Sequence, residues 1–180
     1  MNRCALVLVA VSLVACVDGE ATVQPYDRAP VPAVPDRTAP IDPTSVAADG
    51  SLAPSVADGD YWAVATAVGS GRPFIMFDLS QAVFSQTCID ELGTQACDDD
   101  YGVIPEPHGT LTVLWDSLQS VTVVDESQQN YAVPGAELAS LVGGNEPSAE
   151  APDSYRYVPY PFLVTVRNGT IVDVHQIWVP

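Results

Sequence analysis

The chain has 180 residues, 47% of them hydrophobic, and a formal charge of −17 that comes from 23 Asp and Glu against six Arg and no Lys. That is enough chain for one domain with a packed core, which excludes disorder throughout. Neutralising nucleic-acid phosphates needs clustered Lys or Arg, so a nucleic-acid partner is disfavoured.

At the N-terminus a cationic tip, Met1-Asn2-Arg3, precedes an apolar run over Cys4–Ala15 that closes on Leu13-Val14-Ala15-Cys16. At about 1.5 Å per residue such a run falls short of the ~30 Å of a bilayer core, so it reads as an export signal and not as a membrane span. Leu-Val-Ala-Cys resembles the lipobox of bacterial lipoproteins. The resemblance implies removal of residues 1–15 as a signal peptide and diacylglyceryl acylation of Cys16, the new N-terminus, with palmitate among its acyl chains. Two or more acyl chains, at ~0.8 kcal/mol per buried CH₂, would then hold the protein on the extracytoplasmic face of the cell membrane.

From residue 16 to residue 58 the chain carries seven prolines, many alanines, scattered Asp and no sustained period. This composition predicts a disordered, solvated tether, spanning roughly 40 Å as a coil or roughly 130 Å fully extended. A single β-rich domain is expected over 59–180.

Within that domain, Tyr61–Val68 is β-branched and aromatic and ends at a Gly- and Pro-containing turn, with a second strand over Phe74–Leu79. Residues 80–92 suit a short helix begun by Ser80 and stopped by Gly93. Thr110–Trp115 and Ser120–Val124 read as strands. Pro134–Gly144 reads as a short helix with Pro at its start and Gly past its end. Tyr155, Tyr157 and Tyr160, beside Arg156, suit either a recognition surface or a core strand, and β propensity favours the core.

The last segment is the clearest. Tyr160–Arg167, then Asn168-Gly169, then Thr170–Trp178 is a hairpin, because Asn-Gly tolerates the positive φ values of a type I′ turn. An uninterrupted register pairs Val166 with Ile171, Val164 with Asp173 and Phe162 with His175. It turns Leu163, Val172, Val174 and Trp178 to the core and leaves Asp173 and His175 together on the outer face. The whole pattern is mainly β (α+β). The expected architecture is a small twisted antiparallel sheet or a partly open OB-like β-barrel, with one or two short helices.

With Cys4 in the leader and Cys16 acylated, Cys88 and Cys97 remain. An even pair in an exported chain predicts one disulfide closing a short loop. Asp98-Asp99-Asp100, near Asp90, Glu91 and Glu106, lacks the alternating carboxylates and central Gly of a calcium loop, and reads as a solvated acidic loop. Two separated histidines and bridged cysteines leave too few ligands for zinc, so no metal and no cofactor is expected.

Gly59-Asp60-Tyr61, Met76-Phe77-Asp78-Leu79 and the closing Phe162–Gly169 to Trp178-Val179-Pro180 resemble small exported domains of actinobacteria, a group that implies no particular activity. His175 and Asp173 match a base and its orienter, but no Gly-x-Ser-x-Gly elbow supplies a nucleophile, and His108 sits in a Pro-flanked turn. The functional expectation is a membrane-tethered, non-catalytic domain that binds an envelope protein or a small ligand. The alternative is a surface hydrolase using His175, Asp173 and a serine not identifiable from sequence.

Overall fold

The computed structural model of the protein describes residues 25–53, 56–69, 71, 73–97, 100–104 and 107–180. The leader and Cys16 lie outside the described residues, as do Asp98, Asp99 and Glu106. In chain order the elements are β1 (Asp27–Ala29), β2 (Gly59–Val68), β3 (Phe74–Ser80), β4 (Ala82–Phe84), α1 (Ser85–Leu92), β5 (Tyr101–Val103) and β6 (Gly109–Leu114). They continue with β7 (Ser120–Val124), β8 (Asn130–Ala132), α2 (Gly135–Val142), β9 (Phe162–Arg167) and β10 (Thr170–Gln176), with short 3₁₀ turns at Pro43–Ser45 and Trp115–Ser117.

Eight strands form one sheet in the order β1-β8-β7-β10-β9-β2-β3-β6, and β4 pairs with β5 in a second, two-stranded sheet. The protein is therefore mostly β with two short helices, but the large sheet is mixed and not purely antiparallel. After β7 the chain runs through β8, α2 and β9 before β10 returns beside β7, and that long crossover makes β7 and β10 parallel. The sheet ends at β1 and β6, and no pair between them closes it among the described residues. The expectation was a small twisted antiparallel sheet or a partly open OB-like barrel; the pairing closes no barrel among the described residues.

The core forms on one face. Tyr61, Val164, Val174 and Val121 are cross-strand neighbours on four adjacent strands, and all are buried. Leu138, Ala139 and Leu141 of α2 join this cluster. Gly135 lets the helix begin there, because a Cβ at that position would lie 2.1 Å from the Trp115 carbonyl oxygen. Tyr155 packs edge-on against Tyr26 and Tyr131 in the same core, and Tyr157 packs against it. Arg156, between them, is exposed and donates to the Asp153 and Tyr155 carbonyls.

The segment expected to be a tether folds against the sheet from Pro25 onward. Asp27–Ala29 pairs with β8, and Tyr26, Ile41, Leu52 and Val56 are buried in the main core. These apolar residues are single and irregularly spaced, so no period announces them. Tight turns deliver each one separately: Asp42 accepts from the N–H and hydroxyl of Thr44, and Asp49 does the same for Ser51. Thr38, also buried, accepts from the Ala82 N–H at 2.7 Å and ties the segment to β4.

The expected 80–92 helix divides into β4 and α1. Ala82, Val83 and Phe84 are all buried, and three consecutive buried positions suit a short strand between two layers better than a helical stripe. Cys88 of α1 and Cys97 form a disulfide with Cα atoms 5.9 Å apart, packed with Val83 in a small core of its own. Gly102 of β5 permits this approach, since a Cβ there would lie 2.9 Å from Cys88 Sγ and 2.6 Å from Leu92 Cδ1.

The Asn168-Gly169 turn is present, with φ of 51° and 74°, and Ile171 faces Val166 as expected. Beyond it the register departs from expectation: Asp173 faces Thr165, Val174 faces Val164 and His175 faces Leu163, with Val172 as a bulge. Phe162, Val164, Val166 and Ile171 are therefore core residues, whereas Val172 is only half-buried. An unbulged strand with Ile171 in the core would also have turned Asp173 inward. The extra residue keeps that carboxylate outside and returns Val174 to the interior.

Candidate ligand-binding cleft

The bulge determines what the outer face carries. Two cross-strand rows run over it. One places Asp60, Thr165, Asp173 and Ser120 side by side on β2, β9, β10 and β7; the next places Trp62, Leu163, His175 and Thr122 on the same strands. The Trp62 end is covered by Phe84 and Tyr101, with Ile177 and Val179 of the C-terminal tail packed against them. At the other end Thr122 is itself buried, 5% exposed.

Past that end runs Pro30-Val31-Pro32-Ala33-Val34-Pro35, a strap that leaves the sheet edge at β1 and rejoins the fold near β4. Three of its six residues lack an N–H, and no backbone N–H of residues 30–35 donates a hydrogen bond among the described residues. Proline holds it extended, and only its ends are tied. Between strap and sheet lies a cleft of about 610 Å³, floored by Ser120, Thr122, Ala132 and His175 and walled by residues 27–33.

His175 is half-buried, and its Nδ1 lies 3.0 Å from the Thr122 hydroxyl oxygen. Burial pulls its pKa below the ordinary value, while Asp173 and Asp60 act in the opposite direction without prevailing. Burial thus favours the neutral imidazole, one nitrogen of which is engaged by Thr122. Asp60 is itself occupied, accepting from the Thr165 hydroxyl at 2.7 Å.

His175 and Asp173 share a face, as the sequence suggested, but no hydrogen bond joins them among the described residues. The Nδ1 position that an orienting carboxylate would take belongs to Thr122. Ser120 is the serine of this cleft, and it stands beside Asp173 and not beside His175. His108 is remote from this group: it lies by β6, with Nδ1 3.3 Å from Asp78 Oδ1. No group of three or more His, Cys, Asp or Glu side chains is placed to hold a metal ion among the described residues.

Sequence reading did not anticipate Thr122, Ser120 or the strap as parts of one site. Thr122 and Ser120 appear in the sequence as ordinary strand positions, and only the parallel β7–β10 pairing carries them to His175. The three prolines of Pro30–Pro35 are the available signal for the strap, but composition alone does not distinguish a docked proline segment from a free one.

The fold and cleft define an open mixed-sheet domain with one strapped face. Comparison with protein-family models, curated proteins and solved structures gives no match.

Proposed function

We propose that this protein is a lipid-anchored, extracytoplasmic binding domain whose ligand occupies the cleft under the proline strap. The supporting observation is the cleft itself: a concave space whose walls are mostly apolar, from Ala29–Ala33 and Ala132, with Asp27, Arg28 and Ser120 as further polar lining and the His175–Thr122 pair at its floor. Apolar walls with a few fixed polar groups are the usual form of a small-molecule site. The OB-like barrel contributes nothing to this reading, which rests on the open outer face.

The anchor rests on the Leu-Val-Ala-Cys resemblance. Since the chain is already folded onto the sheet at Pro25, eight residues lie between the domain and Cys16. That leash spans at most about 30 Å. The cleft would therefore work close to the membrane surface, not at the end of a long stalk.

Cys16→Ala is expected to leave the protein unprocessed or released; a processed Cys16→Ala form that still sediments with membranes would overturn the anchor. For the cleft, amide signals of Ser120, Thr122 and His175 are expected to shift saturably when residues 25–180 are titrated with an envelope extract. Ser120→Trp, which fills the cleft from an exposed strand position, should abolish those shifts. Ester turnover that disappears in a folded His175→Ala variant would instead establish the hydrolase alternative.

A further inference from the structure

Val31 and Pro32 have a cavity on each side. Beyond the His175 cleft lies a second cavity of about 270 Å³, whose walls include Val34, Ile177 and Trp178 and whose polar lining comes from Gln128, Asn130 and Gln176. Two of those polar residues are almost wholly buried: Gln176 is 0% exposed and Asn130 3%.

They differ in one respect. The Gln176 carboxamide is saturated: its Oε1 accepts from the Val124 N–H at 3.0 Å, and its Nε2 donates to the Val158 carbonyl at 2.7 Å and the Tyr160 carbonyl at 3.2 Å. It is a wall. The Asn130 carboxamide has no hydrogen-bond partner among the described residues, and its Oδ1 is buried without one. A buried amide left unpaired lowers stability, so such a group in an otherwise satisfied site calls for a partner from outside the chain.

We propose that this second cavity is a binding site for a small apolar molecule bearing an amide edge, with Asn130 as its recognition residue. An amide presents one donor and one acceptor, the complement of the Asn130 carboxamide. Trp178, with Val31, Pro32, Val34 and Ile177, receives the apolar body. The two sites share the Val31–Pro32 wall but no polar group, since Gln128, Asn130 and Gln176 line only the second.

The test uses benzamide and acetophenone, which match in shape but differ in that acetophenone has a methyl group in place of the amide NH₂. Binding to the full folded domain is followed by NMR through the Asn130 side-chain amide and the Trp178 indole N–H. Benzamide is expected to shift both signals saturably and to bind at least fivefold more tightly than acetophenone. In Asn130→Leu that preference should fall to about one, with a melting temperature no lower than that of the parent, since the substitution removes an unpaired polar group. Trp178 lies outside the strands, so Trp178→Ala gives a second, independent variant, expected to weaken both probes alike while preserving the preference for benzamide. The proposal is overturned by absence of saturable shifts at Asn130, by equal affinities of the two probes for the parent, or by a benzamide preference that survives in Asn130→Leu. Should Asn130→Leu fail to fold, a Trp178→Ala variant that binds both probes as tightly as the parent overturns it.

Discussion

The Nδ1 of His175 lies 3.0 Å from the Oγ1 of Thr122, across the parallel pair of strands in the large sheet. Burial holds the imidazole pKa below its ordinary value, which has a direct consequence for stability. As pH falls through about 6.5 the unfolded chain takes up a proton at this residue while the folded chain does not, so the unfolded state binds more protons and stability declines. The decline continues down to the folded-state pKa. Denaturation at pH 7.5 and pH 5.5 should show a smaller loss for His175→Gln than for the parent. Equal losses would remove His175 from the pH response.

A chain beginning at Gly59 is expected not to fold. It lacks Tyr26, Ile41, Leu52 and Val56, all buried in the main core. Each such side chain contributes roughly 1.5–3 kcal/mol, and their sum is comparable to the ~5–15 kcal/mol that stabilises a typical domain. A chain beginning at Pro25 retains them and should melt cooperatively. Cooperative melting of the shorter chain at the same temperature would show that the 25–58 segment is dispensable.

Reducing the Cys88–Cys97 disulfide should lower stability by on the order of 2–3 kcal/mol, from the entropy of a short closed loop in the unfolded chain. The bridge closes a loop with a sequence separation of 9. Urea midpoints with and without reductant measure the effect, and the local core of Val83, Ile89, Leu92 and Ile104 should lose hydrogen-exchange protection first. Unchanged midpoints would mean that this small core holds without the bridge.

Gly135→Ala should be among the most damaging single substitutions. The added Cβ would meet backbone, the Trp115 carbonyl at 2.1 Å, which cannot yield as a flexible side chain does. Overpacking of this kind costs about 1–3 kcal/mol or more, so a fall in melting temperature of several degrees is expected. A neutral effect would show that α2 can shift on the sheet.

Asp125 organises the β7–β8 turn. It accepts from the N–H and hydroxyl of Ser127, the Gln129 N–H and the Tyr131 hydroxyl. Although desolvation opposes it, this set of donors holds the carboxyl below its usual range. Asp125→Ala should cost about 1–3 kcal/mol by leaving the buried Tyr131 hydroxyl and the turn N–H groups without their acceptor, and the stabilisation by Asp125 in the parent should disappear as pH falls through its depressed pKa. An Asp125→Ala variant with unaltered stability would show that water replaces the carboxylate.

What the sequence determined alone is local. Asn168-Gly169 sets a tight turn because both residues tolerate positive φ, and the β-branched and aromatic runs at β2, β3, β6 and β7 mark strands through their own backbone preferences. Gly143 past the end of α2 and the even cysteine pair are signals of the same kind. Tertiary structure decided whatever depends on distant partners. Val172 bulges because Asp173 must stay out of a core built by other strands. Pro30–Pro35 becomes a strap because Asp27–Ala29 finds the β8 edge a hundred residues away. Thr122 meets His175 only through a parallel crossover, and Asn130 borders a cavity only because the strap and tail enclose it. Local propensity acts over a few residues, whereas burial and cross-strand register are settled by the whole sheet at once.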